Sequence, residues 1–277
     1  MLGISVINLI YQMINKIRQW LYEPEVRGVS VNDDQLLLVH RKIVLSKQLL
    51  RSSFKTFYKD MGLLCDKFFL VHGLEIELGS GAGFFKKYRD SIITSDVRNS
   101  VDFDLELNAL DMKLKSNTVR CIYAINVFHH LPEPDLFFNE LQRVLKPGGG
   151  CILIEPHNGF FSRLIHTHLH SDEHFDVDAD GWVTRQISGP LSGANQALAH
   201  IVFSRDFAKF SSKYGNIFEI VYRGYELNGL RYLLSGGVNF RQLFPSILDG
   251  PLTYLEKLLS SIARYWTLHQ IIVIRRI

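Results

Sequence analysis

Leu74-Glu75-Ile76-Glu77-Leu78-Gly79-Ser80-Gly81-Ala82-Gly83-Phe84-Phe85 is the stretch whose reading decides the fold. An apolar run, Leu74 to Leu78, carries an acid at Glu77 and breaks into glycines at every second position, after which Phe84 to Tyr88 can start a helix. The pattern predicts a strand, a tight turn and a helix N-terminus. Glycines let the backbone turn sharply and let a ligand approach the main chain with no Cβ in the way. Free N–H groups at the helix start would face that ligand. A second apolar run, Ile92 to Ser95, ends in Asp96. A carboxylate at that place accepts two hydrogen bonds from a ribose diol in nucleotide-binding sheets. The chain reads as built to hold a nucleoside.

Working outward, strands are expected at 74–78, 92–95, 119–126, 150–155, 217–222 and 269–274, with helices from about 83, over 134–145 and over 204–214. Alternation of this kind argues for an α/β fold, a mostly parallel, doubly wound sheet with helices on both faces. Right-handed crossovers then put the ligand crevice at the carboxyl ends of the strands. Glu77, Asp96, Asn126 and Glu155 all fall at or near such ends.

A dinucleotide fingerprint is G-x-G-x-x-G, whereas here the glycines alternate as G-x-G-x-G behind an acid. Further motifs follow in order: Asn108-Ala109-Leu110-Asp111, then Asn126-Val127-Phe128-His129-His130-Leu131-Pro132, then Arg143-Val144-Leu145-Lys146-Pro147-Gly148-Gly149. With these four motifs the sequence resembles the class I S-adenosylmethionine-dependent methyltransferases of the type 11-like kind, from roughly Leu74 to Asn158. The resemblance implies a Rossmann-like seven-stranded sheet and S-adenosyl-L-methionine as cofactor. By it, Gly79, Ser80, Gly81 and Gly83 cradle the methionyl part and the ribose edge, Glu77 reaches the amino end, and Asp96 binds the ribose hydroxyls. Asn108 and Ala109 stand beside the adenine, and Asn126 opens the motif after the fourth strand. Asn108 departs from the acid the family usually has there, although an amide oxygen can still accept that hydrogen bond. Arg120 departs too, where an acid commonly precedes the fourth strand, and is expected to affect a surface more than the pocket.

Methyl transfer to a neutral hydroxyl needs a base, and histidine is the usual one near neutral pH. His157, just past the fifth strand, faces the expected acceptor side and is the first choice. His130, in the pair His129-His130, is the second candidate, with a structural or cofactor-side role as its alternative. The run from His166 through His168 and His170 to His174 invites a metal reading, since i,i+4 histidines can share an ion. No further motif fixes a geometry there, and no metal is assigned. The stretches 170–182, 189–199 and 231–237 look like those of methyltransferases from bacterial polysaccharide and glycolipid gene sets. That fainter resemblance points to a sugar hydroxyl on a glycan or glycolipid. The alternatives are a quinone-like or other lipophilic small molecule and, from a different class, a non-catalytic scaffold that keeps the fold.

The remaining bounds come from composition and order. A chain of 277 residues, 47% hydrophobic, with a net charge of +3 carries no dense basic stripe, so no nucleic-acid partner is expected. Its three cysteines, Cys65, Cys121 and Cys151, show no C-x-x-C spacing, and the two that sit inside apolar strand-like runs read as core residues in a reducing compartment. No secretory signal and no bilayer-length apolar run is evident, and a cytoplasmic location is expected. Residues 1–70 read as a helical region with an amphipathic helix at 3–22 and a cap helix at 35–61. The apolar face of 3–22 either packs on its own domain or lies on a membrane surface. Residues 71–277 read as the methyltransferase domain, with insertions at 159–200 and 227–266.

Overall fold

The computed structural model describes residues 16, 19–29, 34–98, 103–169, 174–184 and 194–277. Seven strands form one sheet: β1 (Leu74–Leu78), β2 (Ile92–Asp96), β3 (Leu105–Glu106), β4 (Val119–Ile125), β5 (Leu145–Pro156), β6 (Phe218–Tyr225) and β7 (His269–Arg276). Their order across the sheet is β3-β2-β1-β4-β5-β7-β6, and only β7 runs against the others. This is the Rossmann-like α/β fold. The order reverses between β1 and β4, which opens a crevice at their carboxyl ends.

The strands read as near-continuous apolar runs because both faces are covered. Alternate residues go to opposite sides: Ile122, Ala124, Leu153, Ile272 and Ile274 join one buried cluster, whereas Tyr123, Ile152, Ile154, Ile271 and Val273 join the other. Helix α1 (Asp34–Ser46) and helix α2 (Gln48–Phe68) lie on the second face, where Phe57, Tyr58, Met61 and Cys65 pack on the sheet. Helix α3 (Pro134–Val144) covers the first, with Phe137, Phe138 and Leu141 inward. Cys65, Cys121 and Cys151 are buried free thiols within these layers.

Three local expectations need correction. No α-helix follows the glycine bend: a single 3-10 turn, Phe85–Lys87, is all that forms before β2. Phe85 stacks on Tyr58 at 4.6 Å, and Arg89 is tied to Glu75 and to Asp66, so tertiary contacts hold the short connection in place. The cap helix is not one helix over 35–61 but two, broken at Lys47, whose backbone is extended. Lys47 is buried, donating to the carbonyls of Gly237 and Phe240 and pairing with Glu23 at 2.8 Å. The fourth strand stops at Ile125 because Asn126 takes a left-handed φ of 55°.

The segment 227–266 is pinned to α2. Arg231 donates from Nε to Glu256 Oε2 at 2.6 Å and from Nη1 to Ser52 Oγ at 2.9 Å, while Asn228 donates to the Ser53 carbonyl. Arg120 sits at the amino-end side of the sheet, where it binds Glu75 at 2.6 Å beside Arg89. Most of the expected helix at 3–22 lies outside the described residues, as do His170 and the stretch 185–193. Among the described residues no helix is long and apolar enough to cross a membrane.

Candidate active site

The bend after β1 is shaped by what surrounds it. Gly79 has φ +60°, and a Cβ there would lie 2.6 Å from Val127 Cγ2. A Cβ on Gly83 would lie 2.6 Å from Tyr58 Oη and 2.7 Å from the Ser80 carbonyl. Both positions therefore exclude a side chain because protein neighbours occupy the space. Ser80 closes the bend onto β2: its N–H donates to the Ser95 carbonyl at 2.8 Å, and its hydroxyl accepts from the Ser95 N–H at 3.1 Å. Tyr58 Oη in turn accepts the Phe84 N–H at 3.0 Å. Helix α1 lies over the same bend, since Leu37 Cδ1 is 3.9 Å from a Cβ built on Gly81.

Beneath this bend sits Glu77, 3% exposed, with Oε2 lacking a hydrogen-bond partner among the described residues. Burial pushes its carboxyl up to about 8, against a smaller opposing pull from Ser80. A buried acid without a cation is held neutral at pH 7 and is ready to ionise when a cation arrives. In the unfolded chain the group ionises near its ordinary value of 4.5, so the stability it lends is complete below that pH and is lost as pH rises through about 8.

Asp96 ends β2 and is almost buried. Its Oδ1 accepts from the backbone N–H of Arg98 at 3.0 Å and from Arg98 Nε at 3.2 Å, and among the described residues no hydrogen bond is made to Oδ2, the face left for a diol. His40, on α1, faces this corner: burial lowers its pKa to about 4 against a hydrogen bond with Asn239, and the charges of Arg98 and Lys47 lower it further. Asn108 is exposed, and its Oδ1 already accepts the Leu110 N–H at 2.9 Å, while Ala109 beside it is buried. Asn126 has its N–H on the Ile154 carbonyl, and its buried Oδ1 has no partner among the described residues.

The turn after β4 is organised by Glu155, which was noted only as a rim residue in the sequence. Fully buried, its carboxylate accepts the N–H groups of Val127 (2.9 Å) and Phe128 (2.7 Å) and binds His129 Nδ1 at 2.6 Å. His130 packs on His129 with ring centroids 4.2 Å apart. An acid that satisfies the free N–H groups of a turn fixes that turn. His157, just past β5, holds Nε2 at 3.0 Å from the Arg264 carbonyl and packs against Tyr225 at 4.7 Å. A carbonyl only accepts, so the ring proton is on Nε2 and the lone pair is on Nδ1. Burial lowers the His157 pKa, more than the carbonyl contact raises it.

Glu77, Gly79, Ser80, Gly81, Gly83 and Asp96 are thus gathered at one bend between β1 and β2, with Asn126 at the end of β4 and His157 past the end of β5. Sequence reasoning missed Tyr58, His40 and Arg98; Tyr58 lies at helical spacing with Phe54 and Met61 and reads as core. It missed Glu226 as well, which follows β6 buried, with an unpartnered Oε2 and a pKa pushed well up by burial and by Asp60. His166 stacks on Phe175 at 5.5 Å, and among the described residues no three His, Cys, Asp or Glu side chains gather to hold a metal.

Residues 76–153 match the family model described as a methyltransferase domain. No curated protein matches the chain. Among solved structures the chain is similar to geranyl diphosphate C-methyltransferase from Streptomyces coelicolor A3(2), at 12% identity over 79% of each chain and a TM-score of 0.44. It is also similar to phosphoethanolamine N-methyltransferase 2 from Haemonchus contortus, at 14% identity over 78% of this chain and 52% of that one, with a TM-score of 0.41. The match to a methyltransferase domain spans the strand, the bend and the three further motifs as far as β5.

Proposed function

We propose that this chain transfers a methyl group to a hydroxyl oxygen of a sugar on a glycan or glycolipid, acting in the cytoplasm or at the inner face of the membrane. The observation that carries the donor side is the glycine bend above Glu77, whose unpartnered buried carboxyl oxygen needs a cation or donor to complete it. S-adenosyl-L-methionine, when bound, supplies a sulfonium-activated methyl and a cationic amine. In this reading Glu77 takes the amine directly or through water, and Gly79 to Gly83 line the methionyl part and ribose edge. Asp96 Oδ2 takes the ribose diol; Asn126, Asn108 and Ala109 border the base. Most of the rate would come from holding donor and acceptor in line.

On the acceptor side His157 is neutral at pH 7 and carries its lone pair on Nδ1, so it can take the hydroxyl proton as the new C–O bond forms. His130 lies on the neighbouring turn as the second candidate. The fainter sequence resemblance of 170–182, 189–199 and 231–237 supports a sugar hydroxyl as acceptor.

His157→Ala is expected to lower kcat by about 100-fold, the usual worth of a general base, while leaving cofactor affinity intact. Full activity in that variant would remove His157 as the base. Glu77→Gln has two opposed outcomes. Apo protein at pH 8–9 should melt higher than the parent, because no charge is left to bury, while donor affinity falls about tenfold through loss of the ion pair. Thermal melts against pH and isothermal titration with S-adenosylhomocysteine read the two effects separately. Growth without the gene tests the acceptor: mass spectrometry of envelope glycans should show one methyl missing, and unchanged glycans would contradict the sugar reading.

A further inference from the structure

We infer that the surface formed by residues 160–164 and 243–265 docks on an anionic lipid bilayer. The segment runs as a chain of short helical pieces, Ser246–Leu248, Asp249–Leu258, Leu259–Ile262 and Ala263–Trp266, and the last packs on the helix Phe160–Leu169. Along it Phe160, Phe161, Ile247, Tyr254, Leu258 and Tyr265 all face solvent, Ile247 at 85% exposure and Phe160 at 69%. Soluble monomers rarely leave so many large apolar side chains together in the open.

The charges on this surface identify what covers it. Arg163, Lys257 and Arg264 are exposed among the apolar residues. The two acids of the segment are turned inward: Glu256 is fully buried on Arg231, and Asp249 is half-buried 3.8 Å from the same guanidinium. The helix Phe160–Leu169 contains no acid. The exposed charge is therefore all cationic, while the chain as a whole carries 28 acids against 31 bases. Apolar and tyrosine side chains interleaved with cations, and no exposed acid, suit an anionic headgroup layer over acyl chains.

The surface touches the acceptor-side histidine at Arg264. The carbonyl of Arg264 holds His157 Nε2, and that residue's side chain is one of the exposed cations. Just before this segment in the chain, the Arg241 N–H donates to the Leu21 carbonyl at 2.7 Å, and its guanidinium lies 5.5 Å from the ring centroid of Trp20. Docking would bring the Arg264 end of this segment, which holds His157, to the headgroup layer. The inference concerns binding alone and stands whichever acceptor is methylated.

Co-sedimentation of the full chain with vesicles tests it. Vesicles of phosphatidylglycerol mixed with phosphatidylcholine should bind the protein, and pure phosphatidylcholine should bind it much more weakly. Ile247→Ser/Leu258→Ser and Arg163→Glu/Lys257→Glu should each lower the partition by about tenfold or more with unchanged melting temperature. Either double variant binding like the parent, with loss only on removal of residues 1–15, would assign membrane contact to the N-terminal segment and overturn the inference. So would absence of vesicle binding together with a dimer that Leu258→Ser dissolves, since the face would then be covered by a second copy.

Discussion

Arg231→Ala is expected to destabilise the protein by about 3–5 kcal/mol, the cost of stranding one member of a buried ion pair. Its guanidinium is 4% exposed and joins Glu256, which is fully buried, to Ser52 and Thr56 on helix α2. Removing it leaves the Glu256 carboxylate in the interior with no countercharge. Burial already raises the Glu256 pKa, more than its contacts with Arg231 lower it. The variant's penalty should therefore shrink as pH falls, because a proton can replace the lost cation. Denaturant melts at pH 8 and pH 5.5 measure this, and Arg231→Ala/Glu256→Gln should recover much of the loss. A pH-independent penalty of less than 1 kcal/mol would show that the segment 227–266 is not held to α2 by this pair.

Asp96→Ala is expected to weaken binding of S-adenosylhomocysteine by about 10- to 100-fold, the worth of one or two hydrogen bonds to a charged acceptor. The chain should stay folded, because among the described residues its carboxylate is bound by Arg98, two residues on. Asp96→Asn keeps one acceptor oxygen and loses the charge, so its loss should fall between parent and alanine. Isothermal titration of all three, with circular dichroism to confirm folding, makes the comparison. Equal affinity across the series would place the ribose elsewhere.

The sheet was legible because its inner strands are buried on both faces, so Leu74–Leu78, Val119–Ile125 and His269–Arg276 stand out as apolar runs between breakers. β3 was not, since two residues carry no period. The helix expected after Gly83 failed for a tertiary reason: Phe84 and Phe85 are drawn onto Tyr58 and Tyr123, and nothing local announces that pull. The break at Lys47 was hidden likewise, because its partners, the carbonyls of Gly237 and Phe240, lie almost two hundred residues away. The bend and its two acids were readable because a tight turn constrains residue type locally. Glu155 could be placed at the rim, but its grip on the turn 127–129 depends on strand register that only the folded sheet supplies.

The most direct measurement is a crystal structure of the protein soaked with S-adenosylhomocysteine. Density along Gly79–Gly83, with the amine toward Glu77 and the ribose hydroxyls within hydrogen-bonding distance of Asp96 Oδ2, is the result expected. Density lodged away from the bend, with Glu77 and Asp96 untouched, would contradict it.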